Sequence, residues 1–434
     1  MEVKVIGGGL AGTETALYIA NHGIKVTLCD IKPKSFTPAH TSENFCELVC
    51  SNSLKSNDVY GNASGLLKEE LRALGSEVIR TADQTSVPAG NALAVDRNKF
   101  SQILTEKIKS NGNIEVVCEE VDEIDPEEIT VVATGPLTTD KLSEKLSDLV
   151  GDKLHFYDAS APVVSGESVD MNHAFFGDRY GKGNGDHLNC PMNKEEYETF
   201  VEELLKAERA NLHSFEKGEI FEGCMPIEVM ASRGKDTLRF GPLKPVGLDD
   251  PKTGRWAYAC LQLRKEDGNG ELFNLVGFQT NLKFPEQKRV FGIIPALKNA
   301  EYHRYGVMHR NTFIDSPKVL DKDLSLKKSK NTYFAGQITG VEGYVESVAV
   351  GLLCGIYIER KIKGLKEVTI PETTVLGSLV RYVTETSEYF QPMNANYGIL
   401  PQVGVYIRDK AQKKKYLSER SLKDLNGFIK EIKE

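Results

Sequence analysis

The sequence has no run approaching the roughly 20 apolar residues that a membrane-spanning helix needs, and its mean hydropathy is −0.32. A helical membrane protein is excluded, and no membrane partner is expected. A secreted protein is not expected either. The opening MEVKVIGGG passes directly into a strand and a glycine loop, with no basic start, apolar stretch or cleavage site. None of the eight cysteines (29, 46, 50, 118, 190, 224, 260 and 354) forms a Cys-x-x-Cys pair. That speaks against a zinc ribbon and a thioredoxin-type motif, so no metal is expected. Eight cysteines in 434 residues are too sparse for a disulfide framework, which points to free thiols in a reducing, cytoplasmic compartment. Positive charge is not in excess: 54 Lys and Arg face 62 Asp and Glu, for a net charge of −8. A surface coated in basic charge for nucleic acid is excluded, but a local basic patch is not.

What is present describes a globular chain. It is 40% hydrophobic and 27% charged, and its length suits about two to three domains. The first 30 residues read strand, tight turn, helix, strand: Val3, Val5 and Ile6, then Thr13–His22, then the β-branched run Lys25–Cys29. Asp96 reads as a helix cap ahead of Phe100, Ile103, Leu104 and Ile108. Ile114–Val117 and Thr130–Ala133 read as strands. From about Leu154 to Tyr305 turn-rich stretches alternate with short strands, and one amphipathic helix lies near Lys194–Arg209. After Asn331 an apolar strand (TYFAG) and a small-residue helix, Tyr344–Arg360, return to the strand-and-helix pattern of the N-terminal part. The expected fold class is α/β: a discontinuous Rossmann-type nucleotide-binding domain with an inserted mixed α+β domain. The expected divisions are residues 1–150, an insertion at 151–305, and 306–434. The last part carries a basic C-terminal tail, since residues 408–434 hold nine Lys and Arg against five Asp and Glu.

Gly7-Gly8-Gly9-Leu10-Ala11-Gly12 fits G-x-G-x-x-G between a strand and a helix. Gly7 permits the turn, Gly9 lets backbone approach a pyrophosphate, and Gly12 lets helix pack on strand. The phosphates sit on the free N–H groups of the helix start. Asp30 closes the second strand 18 residues after Gly12, placed to accept the adenosine ribose hydroxyls. Downstream strand ends at Ala133-Thr134-Gly135 and Ala335-Gly336-Gln337, with Gly340, Gly343 and Tyr344 beyond, suit FAD better than NAD. An NAD dehydrogenase usually completes its nucleotide fold locally. Cys50 stands among small polar residues and a lysine (VCSNSLKS), where no amphipathic period is kept. A thiol near a cation or an electron-poor ring is nucleophilic. Cys46, four residues upstream, reads as a core thiol. Cys224 lies between Gly223 and Met225-Pro226, which suits presentation from a loop, and Arg233, Lys235, Arg239 and Lys244 follow it. His309 stands beside Arg310 and Asn311, where an imidazole can stack on a heteroaromatic ring or move a proton.

The segment from Gly336 to Ser347 (GQITGVEGYVES) resembles the signature of the glucose-inhibited-division-type flavoproteins that modify RNA uridines. The blocks VCSNSLKS, VPAGNALAVDR, FFGDRYGKGNGDHLNCPM, FEGCMPIEVMASRG, GPLKPVGLDDP and YGVMHRNTF narrow the likeness to the shorter, folate- and FAD-dependent tRNA uracil-5-methyltransferases of that group. It runs from the glycine loop to about residue 405. This resemblance implies methylation of C5 of a uridine in the tRNA T loop. The one-carbon donor is 5,10-methylenetetrahydrofolate, and the FAD is re-reduced by NAD(P)H. It implies that Cys50 protects or primes the flavin and that Cys224 attacks uracil C6. His309 is a candidate for stacking on the folate. No obligate protein partner is inferred. The chain closes soon after its nucleotide domain, unlike the longer relatives that act on the wobble uridine. Two alternatives stand beside this one: the same chemistry on a ribosomal RNA uridine, or a flavin oxidoreductase of a small molecule.

Overall fold

The computed structural model of the chain describes residues 2–151, 153–181, 184–210, 219–220, 225–385, 390–404 and 407–433. One six-stranded sheet draws on both ends of the chain. Across it lie Ser325–Leu326, Ser329–Phe334, Ile129–Val132, Glu2–Ile6, Lys25–Asp30 and Ile114–Cys118. All neighbours are parallel except the edge strand Ser325–Leu326. Strands covered on both faces read as continuous apolar runs, and Ile129–Val132 is buried at every position. Glu2–Ile6 sends its crossover to Lys25–Asp30 on one side, while Ile129–Val132 and the strands after it add on the other. A crevice opens at such a switch point, beyond the carboxyl ends of the strands.

The helices Leu10–Asn21 and Tyr344–Ile362 lie against each other. Contact is close because a Cβ on Gly351 would stand 2.5 Å from the Ala11 carbonyl oxygen. Thr15 Oγ1 seals the pair by donating to the Gly351 carbonyl at 2.8 Å. Tyr344–Ile362 is apolar around most of its circumference and buried nearly throughout. The first helix begins at Leu10, three residues before the sequence pattern predicts, because it starts on the glycine loop itself. Asp96 caps the helix Arg97–Ser110 by accepting from Lys99 N, as its position predicts.

The middle of the chain forms a second six-stranded sheet. Its order is Phe175–Phe176, His187–Met192, Ala259–Lys265, Leu272–Leu275, Val163–Ser165 and Tyr302–Arg304, antiparallel throughout. This sheet has its own core, with Leu188, Phe200, Phe278 and Phe291 fully buried. Its main helix, Lys194–Lys206, starts on a reciprocal cap between Asn193 and Glu196. Lys153–Ala159 and Met308–Ile314 pair antiparallel where the chain enters and leaves this region.

The basic C-terminal stretch is not a tail. Lys410–Lys433 is a helix that buries Leu417, Leu425 and Phe428. Ser418 Oγ donates to the Val59 carbonyl at 3.0 Å, and the lysines face outward. The apolar spacing that docks it was present in the sequence but masked by the density of charge.

Candidate active site

The glycine loop, the end of Lys25–Asp30 and the two downstream strand ends enclose a cleft with about 1160 Å³ of empty space. Gly7, Gly8, Gly9, Leu10, Ala11, Asp30, Gly135, Gly336, Gln337 and Tyr344 all line it. The glycines serve different ends. A Cβ on Gly7 would stand 2.6 Å from the Ala133 carbonyl oxygen, and Gly7 has φ +105°. Gly12 lies beneath the cleft, where a Cβ would come within 1.9 Å of the Gly7 carbonyl oxygen. A Cβ on Gly9 would meet no protein atom within 4 Å, so its bareness keeps open space above the helix start. No side chain caps that helix, so its first N–H groups are left to the cleft. Asp30 fixes the loop: Oδ2 accepts from Gly8 N at 2.6 Å and Oδ1 from Lys32 N at 2.8 Å. Cys46 lies in the core with φ +55° and donates its N–H to the Gly8 carbonyl, and burial pushes its thiol up to about 12.

A second cleft of about 1100 Å³ adjoins the first, sharing Val49, Pro136, Leu137, Gln337 and Tyr344. Cys50, Ser51, Lys55 and Gly343 line it. Cys50 is half-buried. Its loop is pinned from two sides. The Tyr344 hydroxyl accepts from Cys50 N at 2.7 Å and from Ser51 N at 3.2 Å. Arg304 donates to the Val49 and Cys50 carbonyls at 3.0 and 3.3 Å, while Arg264 donates to Ser51 Oγ at 2.6 Å and Asn52 Oδ1 at 3.1 Å. Arg97 reaches the Leu48 carbonyl and pairs with Glu266 at 2.6 Å. On the far wall Lys55, with φ +64°, pairs with the buried Glu346 at 2.9 Å. Lys68 supports the strand Ser53–Ser56 from below, donating to the carbonyls of Leu54, Ser56 and Ser64. Burial pushes its ammonium down to about 7.

The residues singled out in the glycine loop, at the strand ends and at Cys50 thus meet in two joined clefts. Cys224 lies outside the described residues. The backbone of His309 sits in Met308–Ile314 opposite Asp158, and its side chain is likewise outside them. Sequence reasoning missed Arg97, Arg264, Arg304 and Glu266. They come from three separate segments, and no local pattern marks them. Among the described residues there is no group able to hold a metal ion and no helix long and apolar enough to cross a membrane.

The model of the family described as "Glucose inhibited division protein A" matches residues 2–366. The chain belongs to this family. A relative from Acetivibrio thermocellus, named methylenetetrahydrofolate--tRNA-(uracil-5-)-methyltransferase TrmFO, is 58% identical over 429 residues, covering 98% of each chain. A relative of the same name from Fusobacterium nucleatum is 54% identical over 432 residues, covering 99% of each. The solved structure of Aquifex aeolicus GidA matches with a TM-score of 0.72 at 17% identity. It covers 99% of this chain and 73% of that one, a likeness of fold. The cofactor of such a flavoprotein is FAD, and the clefts fit it: Gly9 keeps space free over uncapped helical N–H groups, and Asp30 stands at the strand end.

Proposed function

We propose that this protein methylates C5 of a uridine in tRNA, with 5,10-methylenetetrahydrofolate as the one-carbon donor. The observation that carries this reading is the pinned Cys50 loop opening into a cleft continuous with the nucleotide crevice. Full-length relatives that carry the methyltransferase name support it. Gly7, Gly8, Gly9, Leu10 and Ala11 hold the pyrophosphate over the helix start that Gly12 lets pack, and Asp30 holds the ribose. Gly135, Gly336, Gln337, Gly343 and Tyr344 flank the rest of the cofactor. When bound, FAD reduced by NAD(P)H supplies the reducing equivalents of the transfer.

The chain's own part is nucleophilic. Uracil C5 is a weak nucleophile, and a thiolate added to C6 turns it into an enolate carbon able to attack a methylene group. Loss of the C5 proton and expulsion of the thiolate then restore the ring. Cys224 is the thiol for C6, Cys50 works at the cofactor, and His309 stacks on the folate. The compartment is the cytoplasm. The division of the chain into 1–150, 151–305 and 306–434 puts the RNA on the inserted part. On that part, residues 233–256 hold six Lys and Arg against three Asp. Phe240 is 81% exposed and Trp256 53% exposed. The Arg239 guanidinium lies 3.6 Å from the Tyr258 ring centre. Cations interleaved with exposed rings suit an RNA backbone and unstacked bases.

The test supplies labelled methylenetetrahydrofolate, FAD and NADPH with an unmodified tRNA transcript or a ribosomal RNA fragment. Label in the tRNA T loop is expected. Label only in ribosomal RNA replaces the substrate and keeps the chemistry. NADPH consumption without label in either RNA overturns the reading in favour of a small-molecule oxidoreductase.

A further inference from the structure

Behind Cys50 three guanidinium groups face one carboxylate. Arg97 belongs to the helix Arg97–Ser110, Arg264 to Ala259–Lys265 and Arg304 to Tyr302–Arg304. Glu266 is 5% exposed and pairs with Arg97. The Nε atoms of Arg97 and Arg304 are buried with no hydrogen-bond acceptor among the described residues. Burial disfavours Arg264 and Arg304 as cations, and in both a negative charge on Cys50 would offset part of this cost. A buried surplus of positive charge is costly unless an anion stands beside it. The backbone oxygens of Val49 and Cys50 and the Ser51 hydroxyl that these arginines hold carry no net charge.

We propose that Arg264 and Arg304, both from the inserted sheet, are positioning residues that hold Cys50 as a thiolate, with Glu266 limiting the effect. The anion offsets part of the cluster's surplus positive charge, and the thiol proton leaves to solvent through the cleft that Cys50 lines. Among the described residues, the other charged and titratable groups near that cleft are already engaged. Lys55 is held by Glu346, and Glu342 accepts from Gln337 Nε2 at 2.6 Å. The Tyr344 phenol is pushed up by burial and stays neutral, and Glu47, which lines the adjoining glycine-loop cleft, is engaged by Thr41 and Ser42. The thiolate-favouring charge therefore comes from the inserted part, whereas Cys50 belongs to the nucleotide part. A displaced insertion would leave the glycine-loop cleft standing and the thiol unreactive.

The inference builds on Cys50 being a reacting thiol, but its test needs no methyl transfer, so its failure is separate from failure of the labelling assay. The purified protein is alkylated with iodoacetamide across pH, and modification is read at the peptide carrying Cys50. The wild-type midpoint is expected below the roughly 8.5 of a free cysteine. Arg264→Met and Arg304→Met each raise it by about one pH unit, slowing alkylation roughly tenfold at neutral pH. Arg304→Lys keeps most of the charge and holds the midpoint near wild type. Glu266→Gln lowers the midpoint, a direction that loosened packing would not produce. Circular dichroism selects the variants that remain folded. A wild-type midpoint at that of free cysteine, or midpoints indifferent to both arginine loss and Glu266→Gln, overturns the proposal.

Discussion

At the scale of single residues, the glycines separate folding from cofactor binding. Gly9 has φ −74°, a conformation open to any residue, and a Cβ there meets only open space. Gly9→Ala is expected to leave the melting temperature of the apoprotein unchanged and to abolish the bound-flavin absorbance. Gly12→Ala forces a Cβ onto a backbone oxygen 1.9 Å away that cannot rotate aside. It is expected to cost more than about 3 kcal/mol in denaturant unfolding. Tyr344 is a different case, because its hydroxyl is the acceptor for two loop amides. Tyr344→Phe leaves those donors without their partner. It should cost about 1–3 kcal/mol, read by unfolding, with faster proteolysis at the Cys50 loop.

At the scale of elements, Glu70 joins three helices. From Ala63–Ala73 its carboxylate accepts from Val375 N at 2.8 Å and Leu376 N at 2.9 Å, at the start of Val375–Thr384. It also accepts from Ser421 Oγ at 2.5 Å, on the helix Lys410–Lys433. Burial outweighs these bonds and pushes its carboxyl up to about 7 from 4.5. The folded protein therefore holds this proton where the unfolded chain has lost it. Stability from this group is highest below pH 4.5, falls as pH rises to about 7, and is constant above that. Relative to Glu70→Gln, the wild type should lose about 3 kcal/mol across that window in denaturant titrations at stepped pH. Truncation before Lys410 would remove the buried Leu417, Leu425 and Phe428 and expose the Glu70 junction. The expected result is a chain of lower melting temperature whose pH dependence through Glu70 is lost.

At the scale of the molecule, charge is distributed unevenly in an acidic protein of net −8, with the basic and aromatic stretch 233–256 on the insertion. The strand Ala259–Lys265 leads from that stretch to Arg264 at the Cys50 loop, a span of about 20 Å at roughly 3.3 Å per residue. An RNA with its target base near the Cys50 loop and its backbone on Lys235, Lys244 and Lys252 would lie along this strand. Reversing those three lysines to Glu should raise the KM for tRNA at least about tenfold and flatten its dependence on salt. NADPH oxidation by the bound flavin should be unchanged. Equal tRNA kinetics at all salt concentrations would remove this stretch from the RNA face.

Local chemistry was legible because its rules act over short spans. Glycine spacing between a strand and a helix, an acid at the next strand end, the cap at Asp96 and the apolar run of Tyr344–Ile362 each follow from neighbours in sequence. The sequence by itself therefore determined the nucleotide-binding half and drew attention to Cys50. The docking of Lys410–Lys433 and the Glu70 junction were decided only in the tertiary structure, because helices far apart in the chain must meet before burial can act. The same holds for the arginine cluster. Arg97, Arg264 and Arg304 look like ordinary solvated cations in sequence, and only the packing of the inserted sheet on the nucleotide part brings them together at the Cys50 loop. Their electrostatic weight comes from exclusion of water, a property that belongs to the assembled fold.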